Sequence, residues 1–301
     1  MKGKWGIQGL LIAILAIANP QEVQGQSLPV LTPTTPQAIE SLNQGLQEIR
    51  AGNIDRAIAR FEEAITLDKN LAPAHYNLGL ALREKGQLQA AADAFYRALS
   101  INPKLAVAYA NLGAALIEGN NFEQAQVYLD RAIQLSPQLG IAHYNLGLVT
   151  LQKDDPEAAL EHFRNAQKYR SQAPEIFYQM GLAYLKLEKL DQAKTAFEAV
   201  IRLQSRHSQA HYGLGQVWFQ QNKLEAALEA FQQGIRLNPE FASAYYAAGV
   251  VLFEAQQFSQ AIAMLHKAQQ LYAEQGQAQW AVYAKQLSQR AISRNNQESG
   301  N

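Results

Sequence analysis

One spacing governs this chain. Gly45, Gly79, Gly113, Gly147, Gly181, Gly215 and Gly249 stand 34 residues apart without exception. Ala57, Ala91, Ala125, Ala159, Ala193, Ala227 and Ala261 follow them by twelve residues, and Phe61, Phe95, Leu129, Phe163, Phe197, Phe231 and Leu265 come four residues later. Residue types held at one period over seven cycles specify an array of small units rather than one globular core.

The physics of a unit is readable in residues 106–139. Tyr109, Leu112, Ala115 and Leu116 have helical spacing, and so do Phe122, Ala125, Leu129 and Ala132. Asn120 and Asn121 separate the two stretches, and asparagine tolerates the left-handed conformation that ends a helix. Gly52, Gly86, Asp154 and Asn222 occupy the same place in other units, while Pro103, Pro137 and Pro239 close second helices. Each unit therefore reads as two short antiparallel helices. The periodic Gly and Ala let them approach, and the Phe or Leu fills the space beside them. One such hairpin cannot bury both faces, so neighbours must stack. The expectation is an all-α chain, helical from about residue 38 to 292, with no strand.

These residues carry a resemblance. The pattern W-x2-L-G-x2-Y…A-x3-F…P of the tetratricopeptide repeat is met at Leu78-Gly79, Ala91, Phe95 and Pro103, and again at Leu214-Gly215, Ala227, Phe231 and Pro239. Leu112-Gly113, Ala125 and Pro137 match it too. Seven units fit, 38–71, 72–105, 106–139, 140–173, 174–207, 208–241 and 242–275. The resemblance implies an α-solenoid, a right-handed superhelix of helix-turn-helix repeats. Departures are few: Pro156 stands where an apolar helix residue is usual, and Gln44 and Glu48 suit a terminal unit facing water. After 275, Trp280, Tyr283, Ala284, Leu287 and Ala291 trace one apolar stripe, read as a capping helix over 276–292. The polar residues 293–301 are expected to be a disordered tail.

The N-terminus follows different rules. Lys2 and Lys4 precede the unbroken apolar run Leu10–Ala18, which Asn19-Pro20 ends. Residues 1–18 read as an export signal, too short for the roughly 20 residues of a membrane span. An uncleaved anchor over residues 5–18 is the alternative. Residues 19–37, with Pro20, Pro29, Pro33 and Pro36, read as a Pro/Gln-rich spacer. The expected location is outside the cytoplasm, periplasm-like or lumenal.

Composition then removes function classes. There is no cysteine, so disulfides, thiolate metal sites and Cys nucleophiles are excluded. Lys and Arg number 26 against 26 Asp and Glu, leaving no basic field for nucleic acid. No GxGxxG, GxxxxGK[ST] or HExxH occurs. His75, His143 and His211 share the fourth repeat position and read as core or seam residues. His207 and His211 could share a helix face but lack a third metal ligand. His162 and His266 read as surface. No catalytic residue, metal site or cofactor is expected.

The resemblance further implies that first helices line a concave groove, with repeat positions 2, 5, 6, 9, 12 and 13 pointing in. Position 5 carries Leu42, Tyr76, Ala110, Tyr144, Tyr178, Tyr212 and Tyr246. Position 6 carries Asn43, Asn77, Asn111 and Asn145, then Gln179, Gly213 and Ala247. Position 12 adds Ile49, Ile117, Leu151, Leu185, Phe219 and Phe253. Amides can pair with a passing backbone, and tyrosines add apolar area with a polar tip. No Lys or Arg stands at positions 2, 5 or 6, which disfavours clamping of a terminal carboxylate. The groove reads as a seat for an extended peptide, making the chain a non-enzymatic protein-binding scaffold. Assembly through the convex face or array ends, or a small ligand such as a carbohydrate on the tyrosine stripe, are the alternatives.

Overall fold

A computed structural model describes residues 35–299. Among them are fifteen consecutive helices and no strand. Helices α1 (Pro36–Arg50) and α2 (Ile54–Leu67) form the first antiparallel pair, followed by α3 (Ala72–Glu84) with α4 (Leu88–Ile101), α5 (Ala106–Glu118) with α6 (Phe122–Leu135), and α7 (Gly140–Gln152) with α8 (Pro156–Tyr169). Next come α9 (Pro174–Lys186) with α10 (Leu190–Leu203), α11 (Ser208–Gln220) with α12 (Leu224–Leu237), and α13 (Ala242–Glu254) with α14 (Phe258–Glu274). Helix α15 (Ala278–Ser299) packs on α14. The chain is an α-solenoid that divides between Ser171 and Gln172 into two compact units, α1–α8 and α9–α15. The signal at 1–18 and most of the spacer lie outside the described residues. The spacer's end, Pro36 and the residue after it, already belongs to α1, whose N-cap Thr35 accepts a hydrogen bond from the Ala38 amide at 3.3 Å.

Each pair closes on one contact. Phe61, Phe95, Phe163 and Phe197 are fully buried, with their rings over the first-helix glycine of the same repeat. A Cβ on Gly147 would lie 2.5 Å from Phe163 Cε1, and one on Gly181 would lie 2.6 Å from Phe197 Cε1. Real Cβ atoms do not approach so closely, so the glycines are a steric requirement. In the second unit the Phe197 ring also covers Gly213 of the next repeat, where a Cβ would sit 2.5 Å from Cζ. That ring joins a hairpin to its neighbour as well as closing its own.

The turns repeat as strictly as the cores. Gly52, Gly86, Asn120, Asp154, Glu188, Asn222 and Gln256 all have positive φ, from 56° to 77°, at the junction of first and second helices. Glycine and asparagine accept this region cheaply; Glu188 and Gln256 do not. Pro156 is accommodated because it falls at the start of α8, where no amide proton is needed, and Asp155 caps that end by accepting from the Ala158 amide at 3.0 Å.

The structure moves the C-terminal boundary. Helix α15 continues to Ser299, so the stretch from Ser293 that reads as a disordered tail is helical through Ser299. Ala284 and Ala291 are fully buried, and Asn295 is tied to α14 by Ser259 Oγ at 2.8 Å. A polar exterior is compatible with a helix whose inner stripe is anchored.

Two substitutions test this packing in opposite directions. Gly147→Ala should destabilise by roughly 1–3 kcal/mol through overpacking, whereas Gly119→Ala, which meets nothing closer than 3.5 Å, should be neutral or slightly stabilising. Glu188→Gly should raise stability by roughly 0.5–1 kcal/mol as left-handed strain is relieved. Urea midpoints decide all three, and equal midpoints for the two alanine variants would refute the wedge role of the ring.

Candidate functional site

The position-5 tyrosines face two ways. Their rings lean on the Phe of their own repeat, with centroids 5.9 Å apart for Tyr76–Phe95, 6.0 Å for Tyr144–Phe163 and Tyr178–Phe197, and 5.4 Å for Tyr212–Phe231. Tyr76, Tyr144 and Tyr178 are buried, while Tyr212 and Tyr246 are partly exposed. Tyr212 also meets Phe241, and Tyr246 meets Tyr272 and Trp280. Much of the expected stacking surface is thus spent on the chain's own core. Burial pushes the Tyr178 phenol up to about 12 and shifts Tyr212 and Tyr246 in the same direction. Phe219 is partly buried against the cluster around Ala227 and Phe231.

The amide row is not uniform. Asn43 is exposed. Asn77 donates from Nδ2 to the Pro73 carbonyl at 2.8 Å. Asn111, 4% exposed, donates to the Tyr76 hydroxyl at 3.1 Å and to the Val107 carbonyl at 2.9 Å, and accepts from Arg83 Nη1 at 2.8 Å. Both its protons are engaged, so it has none to offer a ligand. Asn145, also 4% exposed, has the same residue type and repeat position, yet its Nδ2 makes no hydrogen bond. One difference lies one repeat back: Ala110 stands where Tyr76 accepts from Asn111, and Ile117 where Arg83 donates to it, and neither carries a side-chain polar atom. In the second unit Gln179, 2% exposed, has an unbonded Oε1.

Sequence reasoning missed Arg83 and Glu118. Position 12 is apolar in every repeat but the second, where Arg83 breaks the pattern, and that break was the available signal. Arg83 Nε lies 3.4 Å from Glu118 Oε1, with both side chains largely buried. Burial holds the Glu118 carboxyl above the usual range; Arg83 pulls it back and Glu84 adds to the rise. The first-helix row of the first unit therefore contains a charge pair that the reading of positions 2, 5 and 6 did not foresee.

The histidines are fixtures. His75, His143 and His211 each place Nε2 near a carbonyl of the preceding turn, Lys69, Pro137 and Ser205, at 3.0, 2.9 and 3.3 Å. His207 caps α11, with Nδ1 accepting from the Ala210 amide at 3.1 Å. His162 is half-buried, not surface as its spacing suggested, and burial lowers its pKa. Among the described residues no three His, Cys, Asp or Glu side chains are grouped to hold a metal ion. None of the described helices is long and apolar enough to cross a membrane.

Helix pairs on a 34-residue period, closed by a ring against glycine, have known counterparts. The family model described as the Cilia and flagella-associated protein 70 C-terminal domain matches residues 16–240, and the one described as Tetratricopeptide repeat matches residues 220–279. The chain belongs to the tetratricopeptide-repeat family. This family's fold is a scaffold, commonly protein-binding and typically without catalysis. The hetero-tetramer Cut9–Hcn1 of the APC/C is similar with a TM-score of 0.66 and 21% identity over 72% of this chain, which spans 43% of that chain. YrrB, described as a tetratricopeptide-repeat protein with an unusual peptide-binding site, matches with a TM-score of 0.53 and 27% identity over 65% of this chain and 99% of its own. A tetratricopeptide-repeat protein from Parabacteroides merdae matches with a TM-score of 0.62 and 17% identity over 86% of this chain and all of its own. No curated protein matches in sequence.

The Tyr178 shift gives a pH test. Its folded value of about 12 lies above the ordinary 10.0, so the stability present below pH 10 is lost as pH rises towards 12. Relative to the parent, Tyr178→Phe should gain about 1 kcal/mol between pH 8 and pH 11 in urea unfolding. A difference independent of pH would mean that the phenol is not shifted.

Proposed function

We propose that this chain is a non-enzymatic scaffold that binds an extended protein segment along the first-helix row of its first unit, outside the cytoplasm. The observation that carries the reading is a buried, unbonded amide atom in the first unit, Asn145 Nδ2. A buried polar atom without a partner costs roughly 1–3 kcal/mol. It needs an acceptor, and a peptide main chain supplies one without regard to side-chain identity. The surrounding positions are largely apolar, so affinity comes from burial and depends weakly on salt. The peptide-binding site in YrrB's description supports the class of ligand. The apolar run after Lys2 and Lys4 supports the location.

The competing reading, assembly through second helices, draws on Tyr96 and Val127, which are 61% and 66% exposed on α4 and α6. One comparison separates them. The partner is isolated with the chain beginning at Asn19, and its affinity is measured for variants. Asn145→Leu should weaken binding at least tenfold without loss of helicity, Asn43→Ala should do nothing, and Tyr96→Lys with Val127→Lys should do nothing. Binding lost only in the Tyr96/Val127 variant would transfer the function to the second helices. N-terminal sequencing of protein from its host should find a start near Asn19 or Gln26, and Met1 in a soluble cytoplasmic fraction would overturn the location.

A further inference from the structure

Between repeats, most first helices begin on an apolar residue. Leu71, Leu105, Leu139, Ala173 and Phe241 stand at the N-caps of α3, α5, α7, α9 and α13, and none of them bonds a helix amide through its side chain. His207 holds the same place at α11 and does: its Nδ1 accepts from the Ala210 amide at 3.1 Å. That amide also reaches the His207 carbonyl at 3.1 Å, as its counterpart Ala244 reaches the Phe241 carbonyl at 3.0 Å. The imidazole therefore adds a bond that those other repeats do without. Only a neutral ring with a bare Nδ1 can make it. A proton on Nδ1 turns the acceptor into a donor, leaves the Ala210 amide to the carbonyl alone, and puts a positive charge at the positive end of the helix.

The surroundings disfavour that charge. His207 is half-buried, with its ring 5.2 Å from the Tyr178 ring of α9. One turn further on, His211 turns Nε2 to the Ser205 carbonyl at 3.3 Å. The charges that bear on the two rings are cationic: His211 acts on His207, and Arg236 of α12 acts on His211. Arg206, the next residue before His207, is exposed. Burial is the largest influence and holds both rings below the ordinary 6.5; a bond to a backbone carbonyl, its own for His207 and that of Ser205 for His211, acts the other way, and the neighbouring cation adds to the fall. The face of Tyr178 favours a cation, against these. We propose that His207 and His211 make the seam between the fifth and sixth repeats acid-sensitive: neutral, they hold the first turn of α11; protonated, they release it together with the contact of His207 on Tyr178. The unfolded chain takes up the proton first as pH falls, so this contribution is complete above about pH 6.5 and is lost below it. Tyr212 and Phe219 stand on α11, so the loosened turn leads into the first-helix row of the second unit. The proposal holds whether or not a partner segment binds the first unit.

Nuclear magnetic resonance on the full, unmutated chain is the first measurement. At pH 7.5 the ring nitrogens of His207 should show the tautomer with its proton on Nε2; a proton on Nδ1 means that the cap does not exist and overturns the proposal. Between pH 7.5 and pH 5.0 the protection of the Ala210 amide against exchange, taken relative to its intrinsic rate, should fall at least fivefold. The Gln124 amide is the internal control, because it is bonded at the start of α6 to Asn121 Oδ1 at 3.4 Å, a cap that does not titrate. Its protection should change less than twofold, and an equal fall at both amides means general loosening in acid and overturns the proposal. His207→Asn keeps a cap that has no proton to gain, so the fall at Ala210 should disappear in that variant; a fall that persists overturns the proposal. His211→Gln should raise the pH at which His207 titrates, and an unchanged midpoint overturns the pairing of the two rings. Should either variant not fold, the tautomer and the two amides of the unmutated chain decide.

Discussion

A glycine hydrogen facing an aromatic ring is the contact on which the other features depend. The ring of Phe163 occupies the volume that a Cβ on Gly147 would need, and Leu129 does the same to Gly113. Packing at that range fixes the separation and rotation of two helices together, because neither can slide without opening a void or forcing an overlap. Hairpin geometry is thereby set within each repeat. What remains for the neighbours is stacking, and Phe197 reaching Gly213 shows the same side chain serving both purposes. Stability in such an array is a sum of local and nearest-neighbour terms, so each turn and cap is judged locally.

That closure explains why the turns obey the period even where the residues resist it. Gly52, Gly86, Asn120 and Asn222 announce a left-handed residue by their chemistry. Glu188 and Gln256 announce nothing, yet they have φ of 56° and 59°. With the helices on either side held by the contact of Phe197 on Gly181 or Leu265 on Gly249, the connecting residue takes the left-handed conformation that joins them. The fold was therefore legible from the spacing of Gly, Ala and Phe. The end of α15 was not, because Ser293 and Asn295 carry no helical signal of their own and are held by Ala284, Ala291 and the bond to Ser259.

The site was legible to a lesser depth. Repeat position assigns a side chain to a face, and on that basis Asn77, Asn111 and Asn145 look interchangeable. Their bonding differs because each amide is met by side chains from the repeat before it. Asn111 finds Tyr76 and Arg83, is saturated, and becomes part of the scaffold. Asn145 finds Ala110 and Ile117 and keeps an unbonded donor. The determinants lie 28 and 35 residues away for Asn111, so the information is present in the sequence but only when two positions are read together across the period. Arg83 shows the same limit: a lone charge in an apolar row looks like an exception until Asn111 and Glu118 are placed around it.

Positions 5, 6 and 12 consequently carry different burdens. At position 5, Tyr76, Tyr144, Tyr178 and Tyr212 lean on the Phe of their own repeat, so changing them alters stability. An amide at position 6 with no internal bond contributes little to folding and can even detract from it, since its desolvation is uncompensated. Exchanging residues at positions 6 and 12 of one repeat can therefore change the hydrogen bonding of its first-helix row, as the contrast between the Asn111 and Asn145 environments shows, without disturbing the Phe or Leu against glycine that holds each repeat closed.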